Sequence, residues 1–397
     1  MKESDFVFFE NNEECSARRM VSFANEFGLS GNLWHQWMAY RIIADENPCS
    51  LACERHSVDR ESTMAELAKP DFARLFKLFN EGPSDFTGID DFMGVFGNYI
   101  PPYACAANTY ARERIMELAA ALEGAKDEPS FAAVIMDYYE KYGAGIYGIY
   151  NSFRAEVEDS TLKIVPVMNA ADISFDTLVG YDDQKQTLKD NTESFLRGRP
   201  ANNALLYGDS GTGKSTSIHA LIHEYGKDGL RMVEVGKRER AYLPEIISEL
   251  KKRNYKFIIF MDDLSFEEDE SDYKELKAML EGALESSGDN VLIYATSNRR
   301  HLIRETWSDR SDMEHDGDVH RSDTMEEKLS LAGRFGITVY YGKPDYKEYM
   351  NIVRELAKRE GLAIGDDELE DEARKWSIKQ GSTSGRSASQ LIKHLTN

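Results

Sequence analysis

Cysteine, positive charge and long apolar runs are what this chain has least of. Four cysteines among 397 residues are too few for a disulfide-built scaffold, and they read as reduced thiols. Cys49 and Cys53 stand four apart, the spacing of one helix face instead of a CxxC knuckle. His56 is nearby, but a structural zinc site needs four ligands and no second pair accompanies these three, so ordinary buried thiols are expected. No run approaches the roughly 20 apolar residues needed to cross a bilayer, and 30% of the chain is charged, so no membrane span is predicted. The opening MKESDFVFFENNEECS has neither the basic start nor the unbroken apolar stretch of a secretory signal. Together these features predict a cytoplasmic protein. Lysine and arginine number 48 against 70 acidic residues, a formal net charge of -22. Most of the surface therefore repels polyphosphate backbones, which gives no support to general nucleic-acid binding and leaves room only for a local basic patch.

What the chain does have is an apolar fraction of 41%, enough to fill the two or three cores that its length calls for. From about residue 14 to residue 156, apolar positions recur at helical spacing, as in NLWHQWMAYRIIADE and MAELAKPDFARLFKLFN. Pro70 is expected to kink or divide the second of these. In KDEPSFAAVIMDYYEKYG, Asp127 can cap a helix, Pro129 can occupy its first turn and Gly143 can stop it. The GAGIYGIY stretch reads as packed aromatics more readily than as a partner surface. VEDSTLKIVPVMNAADISFDTLVGYDD, with Pro166, suits a linker or brace. Beyond it the runs NALLYG, LRMVEVG, KFIIFMDD, NVLIYATSN and GITVYYG alternate with helical patterns, which is the sequence form of a parallel sheet covered by helices. After Pro344 only helical patterns remain. The expected fold is α/β: a mostly helical domain over 1–165, a parallel sheet flanked by helices over 166–342 and a helical lid over 343–397.

GDSGTGKST follows the apolar run ALLY and fits GxxxxGK[ST] at every fixed position, between a predicted strand and a predicted helix. Gly208, Gly211 and Gly213 let the backbone turn its N–H groups around an anion, and the helix that follows adds its positive end. Asp209, Ser210, Thr212 and Thr216 complete the candidate cradle. Lys214 can reach the terminal phosphates of a nucleotide, and the Ser215 hydroxyl can ligate magnesium. The magnesium also needs an acid from another strand. In KFIIFMDD, Asp262 is the metal-side candidate and Asp263 the candidate for polarising the attacking water, both at a strand's carboxyl end where ligands gather in open sheets.

At these motifs the chain resembles the AAA+ ATPases, and within them an uncharacterised bacterial family of ATP-binding proteins. The resemblance covers residues 172–397. FDTLVGYDDQKQTL looks like the family's opening segment, which implies that Val179 and Gly180 pack near the adenine. VLIYATSNRRHL resembles the sensor 1 strand and implies that Asn298 stands beside the terminal phosphate and the attacking water. EEKLSLAGRFG resembles the helix end that carries the arginine finger, a role that falls on Arg334. GRSASQLIKHL resembles the sensor 2 helix, which assigns Arg386 to the phosphates. Many AAA+ proteins have glutamate where Asp263 stands. The shorter side chain implies hydrolysis that is slow or conditional on a partner.

The resemblance implies magnesium-dependent ATP hydrolysis by a homo-oligomer that remodels a macromolecular partner, protein in preference to nucleic acid, held through the N-terminal domain. No NKxD-like segment favours GTP. A nucleotide-dependent switch with little turnover and a helicase-loader-like protein stay open as alternatives, and a small-molecule P-loop kinase fits the lid and the arginines less well. GKRERAYL lies where AAA+ rings project a substrate-facing loop. Lys237, Arg238, Arg240 and Tyr242 are nevertheless expected to be solvated groups at a helix entry. RETWSDRSDMEHDGDVHRSDTMEE is expected to be a flexible loop, and His301, His315 and His320 are too irregularly spaced for a metal site.

Overall fold

The computed structural model describes residues 6–9, 16–56, 58–59, 61–82, 93–102, 108–168, 173–265, 276, 290–298 and 333–396. His301, His315, His320, Cys15, Cys105 and nearly all of the polar segment between Asn298 and Arg334 lie outside them. The chain divides into two units. One comprises Met1–Phe153, Val165–Ala171 and Lys252–Tyr255, and the other Arg154–Ile164, Asp172–Lys251 and Lys256–Asn397.

In the first unit the described residues form α1 (Ala17–Phe27), α2 (Leu33–Ala44), α3 (Pro48–His56), α4 (Thr63–Glu81), α5 (Met93–Phe96), α6 (Thr109–Glu123), α7 (Glu128–Tyr142) and α8 (Gly145–Ile149). α7 begins as its sequence predicts: Asp127 accepts from the Ser130 N–H at 2.9 Å, proline occupies the first turn, and Gly143 at φ 72 ends the helix. Pro70, by contrast, does not divide α4, which runs on from Thr63 to Glu81. An interior proline costs about 3 kcal/mol. Phe72, Leu75 and Phe79, all buried on this helix, each return roughly 1.5–3 kcal/mol, so packing outweighs the lost bond. Cys49 and Cys53 are buried free thiols, as their spacing suggested.

GAGIYGIY is mostly buried, with Ile146 exposed and Tyr150 half-buried. A Cβ on Gly143 would collide with the Tyr255 hydroxyl, and one on Gly145 with the Glu46 side chain, so neither position admits a larger residue. Both glycines flank a buried cation. Arg253 donates through Nε to Glu54 Oε1 at 2.9 Å and through Nη2 to Glu54 Oε2 at 2.7 Å. It also reaches Glu46 Oε1 and the Ala144 carbonyl, and its guanidinium lies over the Tyr147 ring at 4.9 Å. The Arg253 and Glu54 side chains are only 6% and 2% exposed, so the ion pair stands in a poorly screened interior.

The second unit is built on a seven-stranded sheet in the order β2-β1-β4-β5-β6-β3-β7. The five apolar runs are β3 (Ala204–Gly208), β4 (Leu230–Glu234), β5 (Lys256–Met261), β6 (Val291–Ser297) and β7 (Ile337–Tyr341). Successive neighbours from β4 to β7 pair in parallel. The segment expected to be a linker or brace begins with a hairpin, β1 (Ser152–Glu158) and β2 (Thr161–Pro166). Its two-residue turn, Asp159 and Ser160, has φ 48 and 62, the left-handed pair that matches the twist of antiparallel strands. Helices α9 (Asp182–Leu196), α10 (Lys214–Tyr225) and α11 (Leu243–Leu250) belong to the sheet, and α12 (Tyr346–Arg359), α13 (Asp366–Gln380) and α14 (Gly385–Thr396) close the chain. Leu206, Ile218, Leu221, Ile258, Phe260 and Tyr294 share the core on one face of the sheet. The C-terminal helices have a core of their own around Tyr349, Val353, Leu369 and Leu391, against which Val179 packs. Among the described residues no helix is long and apolar enough to cross a membrane.

Replacing Arg253 with methionine would leave the Glu54 carboxylate buried without its cation. The expected cost is about 3–5 kcal/mol, measured as a lowered urea midpoint of the full chain. Adding Glu54→Gln should recover a large part of it, and an unchanged midpoint in Arg253→Met would mean that the pair contributes no stability.

Candidate functional site

β3 ends where the backbone must turn sharply into a loop, and each glycine there has a steric reason. Gly208, Gly211 and Gly213 have φ 135, 78 and 95. A Cβ on Gly208 would run into the Tyr341 carbonyl of β7, and one on Gly213 into the Leu178 side chain. The turn is tied down on its outer side: the Asp209 N–H donates to the Tyr341 carbonyl at 3.1 Å, and Asp209 Oδ2 accepts from the Lys343 N–H at 3.0 Å. α10 starts at Lys214, so its unpaired N–H groups and positive end point into the loop.

Lys214 is 6% exposed. Its ammonium donates to the Gly208 carbonyl at 2.9 Å, the Asp209 carbonyl at 2.7 Å and Asn298 Oδ1 at 3.0 Å. Burial pulls its pKa below the usual lysine range. Asp209, Asp262 and Asp263 oppose that shift and Arg386 adds to it.

The acids stand opposite. Because β6 lies between β3 and β5, Asn298 at the end of β6 falls between the phosphate loop and the acidic turn. Its Nδ2 donates to Asp263 Oδ1 at 2.9 Å while its Oδ1 takes the lysine. Ser215 Oγ donates to Asp262 Oδ1 at 2.6 Å. Thr296 contributes a second hydroxyl to that oxygen. The Asp262 carbonyl accepts from Arg240 Nη2 at 3.2 Å. Arg240 is therefore not the solvated charge its sequence context suggested: it is buried beneath the acidic turn, whereas Lys237 and Arg238 are exposed.

These groups open on one cavity of about 620 Å³, walled by Thr177, Leu178, Val179 and Tyr181 of the opening segment, by Ser210 to Thr216, by Asp262, Asp263, Thr296 and Asn298, and by Ile352, Leu356, Arg386 and Ser389 of the C-terminal helices. That volume lies within the range of small-molecule sites, about 300–1,000 Å³. Its lining combines apolar side chains, Leu178, Val179, Ile352 and Leu356, with the charged Lys214, Asp262, Asp263 and Arg386. Gly180, at φ 79, is the turn between two wall residues and not itself part of the wall. Arg386 also donates its backbone N–H to the Gly211 carbonyl at 3.2 Å. Arg334 is exposed ahead of β7 and does not line the cavity, so the structure gathers every predicted site residue into or beside one place except this one.

Four wall or support residues escaped the sequence reading. Tyr181 stacks on Tyr341 with ring centroids 5.1 Å apart and donates its hydroxyl to the Gly342 carbonyl at 2.9 Å. Its only signal was a bulky residue after Val179 and Gly180. Ile352 and Leu356 come from a remote helix, and their spacing of four was legible only as one apolar face. Thr296 looked like an ordinary strand residue. The hydroxyl of Ser215 and the carboxylate of Asp262 are a hard oxygen pair at the phosphate end, a donor set that fits magnesium. Among the described residues no group of three His, Cys, Asp or Glu side chains is placed to hold a metal by itself.

Residues 150–397 match the family described as "Protein of unknown function (DUF815)". Among curated proteins, the chain is 23% identical over 206 residues to the replication factor C large subunit of Nanoarchaeum equitans, covering 51% of this chain and 42% of that one. It is 25% identical over 223 residues to the ATP-dependent zinc metalloprotease FtsH of Acidobacterium capsulatum, covering 49% and 31%. Over 239 residues it is 25% identical to the proteasome-activating nucleotidase of Methanococcus maripaludis, covering 53% and 56%. The chain thus spans about half the length, or less, of these curated relatives. Among solved structures, the RuvB Holliday junction branch migration motor of Thermotoga maritima aligns with TM-score 0.39 and 18% identity, over 56% of this chain and 63% of that one. With the phosphate loop, the acidic turn and the parallel sheet order in place, the chain belongs to the DUF815 family and has the AAA+ P-loop ATPase fold.

Proposed function

We propose that this chain binds ATP with magnesium in the cavity and hydrolyses it, working as an oligomer that remodels a protein partner in the cytoplasm. The observation that carries the reading is the continuous bonded path from Lys214 through Asn298 to Asp263, with Ser215 and Asp262 beside it. Phosphoryl transfer asks the protein mainly for positioning and for charge opposite the developing negative oxygens. The Lys214 ammonium and the α10 N-terminus meet the terminal phosphates. Asn298 and Asp263 hold the attacking water, Asp263 taking its proton. Magnesium, held by Ser215 and Asp262, would neutralise charge on the phosphate oxygens. Val179, Tyr181, Ile352 and Leu356 offer the base an apolar slot, with Gly180 turning the chain beside it, and residues 343–397 act as the lid over it. Arg386 approaches the phosphates from that lid, and Arg334 serves a neighbouring copy.

The acidic surface supports a protein partner over nucleic acid, and the names of two relatives, a proteasome-activating nucleotidase and an ATP-dependent metalloprotease, lie in the same direction. A second reading, a nucleotide-dependent switch with little turnover, draws support from Asp263. Its side chain is short and its backbone sits at φ 49, a conformation that a non-glycine residue adopts at a cost of about 1–2 kcal/mol.

Lys214→Ala should weaken magnesium-ATP binding by about a hundredfold in calorimetry, because it removes a buried charge from the phosphates. Parent-like affinity in that variant would refute the assigned cradle. Turnover separates the two readings: Asp263→Asn should abolish phosphate release while ATP affinity stays within about threefold, and a parent chain that binds without releasing phosphate is a switch.

Assembly gives a further test. Arg334→Ala should lower turnover by about 10³-fold if its guanidinium acts across subunits. Mixing it with Lys214→Ala, which still presents Arg334, should restore turnover that neither has alone. Co-assembly without recovery would assign Arg334 a structural role.

A further inference from the structure

One residue of β6 binds three consecutive residues of the acidic turn. The parallel ladder between β5 and β6 pairs Met261 with Ala295 and stops there. At the next position the Thr296 hydroxyl donates to Asp262 Oδ1 at 2.5 Å and accepts from the Asp263 N–H at 2.9 Å. Its carbonyl accepts from the Leu264 N–H at 2.6 Å. A threonine hydroxyl has a single proton. Since the Asp263 N–H can only donate, that proton is committed to Asp262, and the orientation of the group is fixed. Thr296 is 2% exposed, so these bonds are poorly screened.

The turn that these bonds hold is a strained one. Asp263 is left-handed at φ 49, and such a conformation persists only where its surroundings over-determine it. Left-handed geometry at Asp263 is what brings its carboxylate to Asn298 Nδ2, 2.9 Å away. The same hydroxyl fixes Asp262 Oδ1, the oxygen that also meets Ser215.

We propose that Thr296 is a positioning residue that sets both acids at once: Asp262 for the metal side of the nucleotide and Asp263 for the water. This rests on the magnesium-ATP reading given above. Thr296 touches neither reacting group and acts through the two aspartates. A strand residue of the same shape without the hydroxyl would keep the packing and release both carboxylates.

The experiment compares the full chain with Thr296→Val, which keeps the shape, and Thr296→Ser, which restores the hydroxyl. Phosphate release should fall about tenfold or more in Thr296→Val, the size of a displaced acid-base group, with KM for ATP within about threefold of the parent. Thr296→Ser should recover most of that loss. A second readout needs no turnover. ADP affinity is measured by calorimetry with magnesium and with a chelator: Thr296→Val should lose most of the gain that magnesium gives the parent while keeping the chelator value. Thr296→Ser should keep the gain.

Parent-like turnover and a parent-like magnesium gain in Thr296→Val would overturn the assignment. So would equal loss in the serine and valine variants accompanied by equal falls in unfolding midpoint, since that pattern belongs to packing alone. Lys214→Ala tells the two failures apart. If it binds nucleotide as the parent does, the reading of the whole site is wrong and this assignment falls with it. If Lys214→Ala loses binding and Thr296→Val is unaffected, only the role of Thr296 is wrong.

Discussion

A lysine ammonium with almost no exposure to water must find its acceptors inside the protein, and much of the second unit is arranged around meeting that need for Lys214. Two acceptors are main-chain carbonyls of the loop it belongs to, and the third is Asn298 on a different strand. A charge in a poorly screened interior is tolerated only when its bonds are complete. The third bond exists because β6 is the neighbour of β3. Had β5 taken that place, Asp262 and Asp263 would stand next to the loop and the amide between lysine and acid would be lost. Strand order, loop glycines and the acidic turn are thus parts of one electrostatic arrangement around the buried cation.

The five parallel strands were legible because β-rich apolar runs of five to seven residues leave little choice of element, and Lys256–Met261 and Val291–Ser297 are buried along nearly their whole length. The cradle was legible because its residue types are forced by backbone geometry. Harder to read was anything that depends on who sits next to whom. The β1–β2 hairpin carries a fair signal, with Phe153, Ala155 and Val157 alternating with Arg154, Glu156 and Glu158, but Pro166 and the acids mask it. Pro70 misleads because its local cost is visible in sequence and the burial of Phe72 and Phe79 is not. Arg240 reads as one more surface charge in GKRERAYL until the fold brings the Asp262 carbonyl to it. Thr296 is a strand residue in any local account. Its role comes entirely from the register of β5 against β6, which a single sequence does not state.

The helical unit follows a different logic from the nucleotide unit. Its interior is aromatic, with Phe23, Trp37 and Tyr40 in mutual contact and His35 stacked on Phe79, and the buried Arg253–Glu54 ion pair is satisfied by neighbours of that unit. Tyr139 donates its hydroxyl to the Ile42 carbonyl at 2.7 Å, so even its polar atoms are used to join helices.

The four residues Lys252–Tyr255 belong by contacts to the helical unit, yet the chain enters β5 at the next residue and reaches Asp262 at the end of that strand. The polypeptide therefore passes between the units at 153/154, 164/165, 171/172, 251/252 and 255/256. Such interlacing makes the protein resistant to dissection. A cut near residue 171 would leave Arg154–Ile164 of the nucleotide unit behind, and would carry Arg253 and Tyr255 away from Glu54, Glu46 and Tyr142 of the helical unit. Recombination that exchanged the N-terminal helices for another module would meet the same obstacle unless the four-residue insert were exchanged with them.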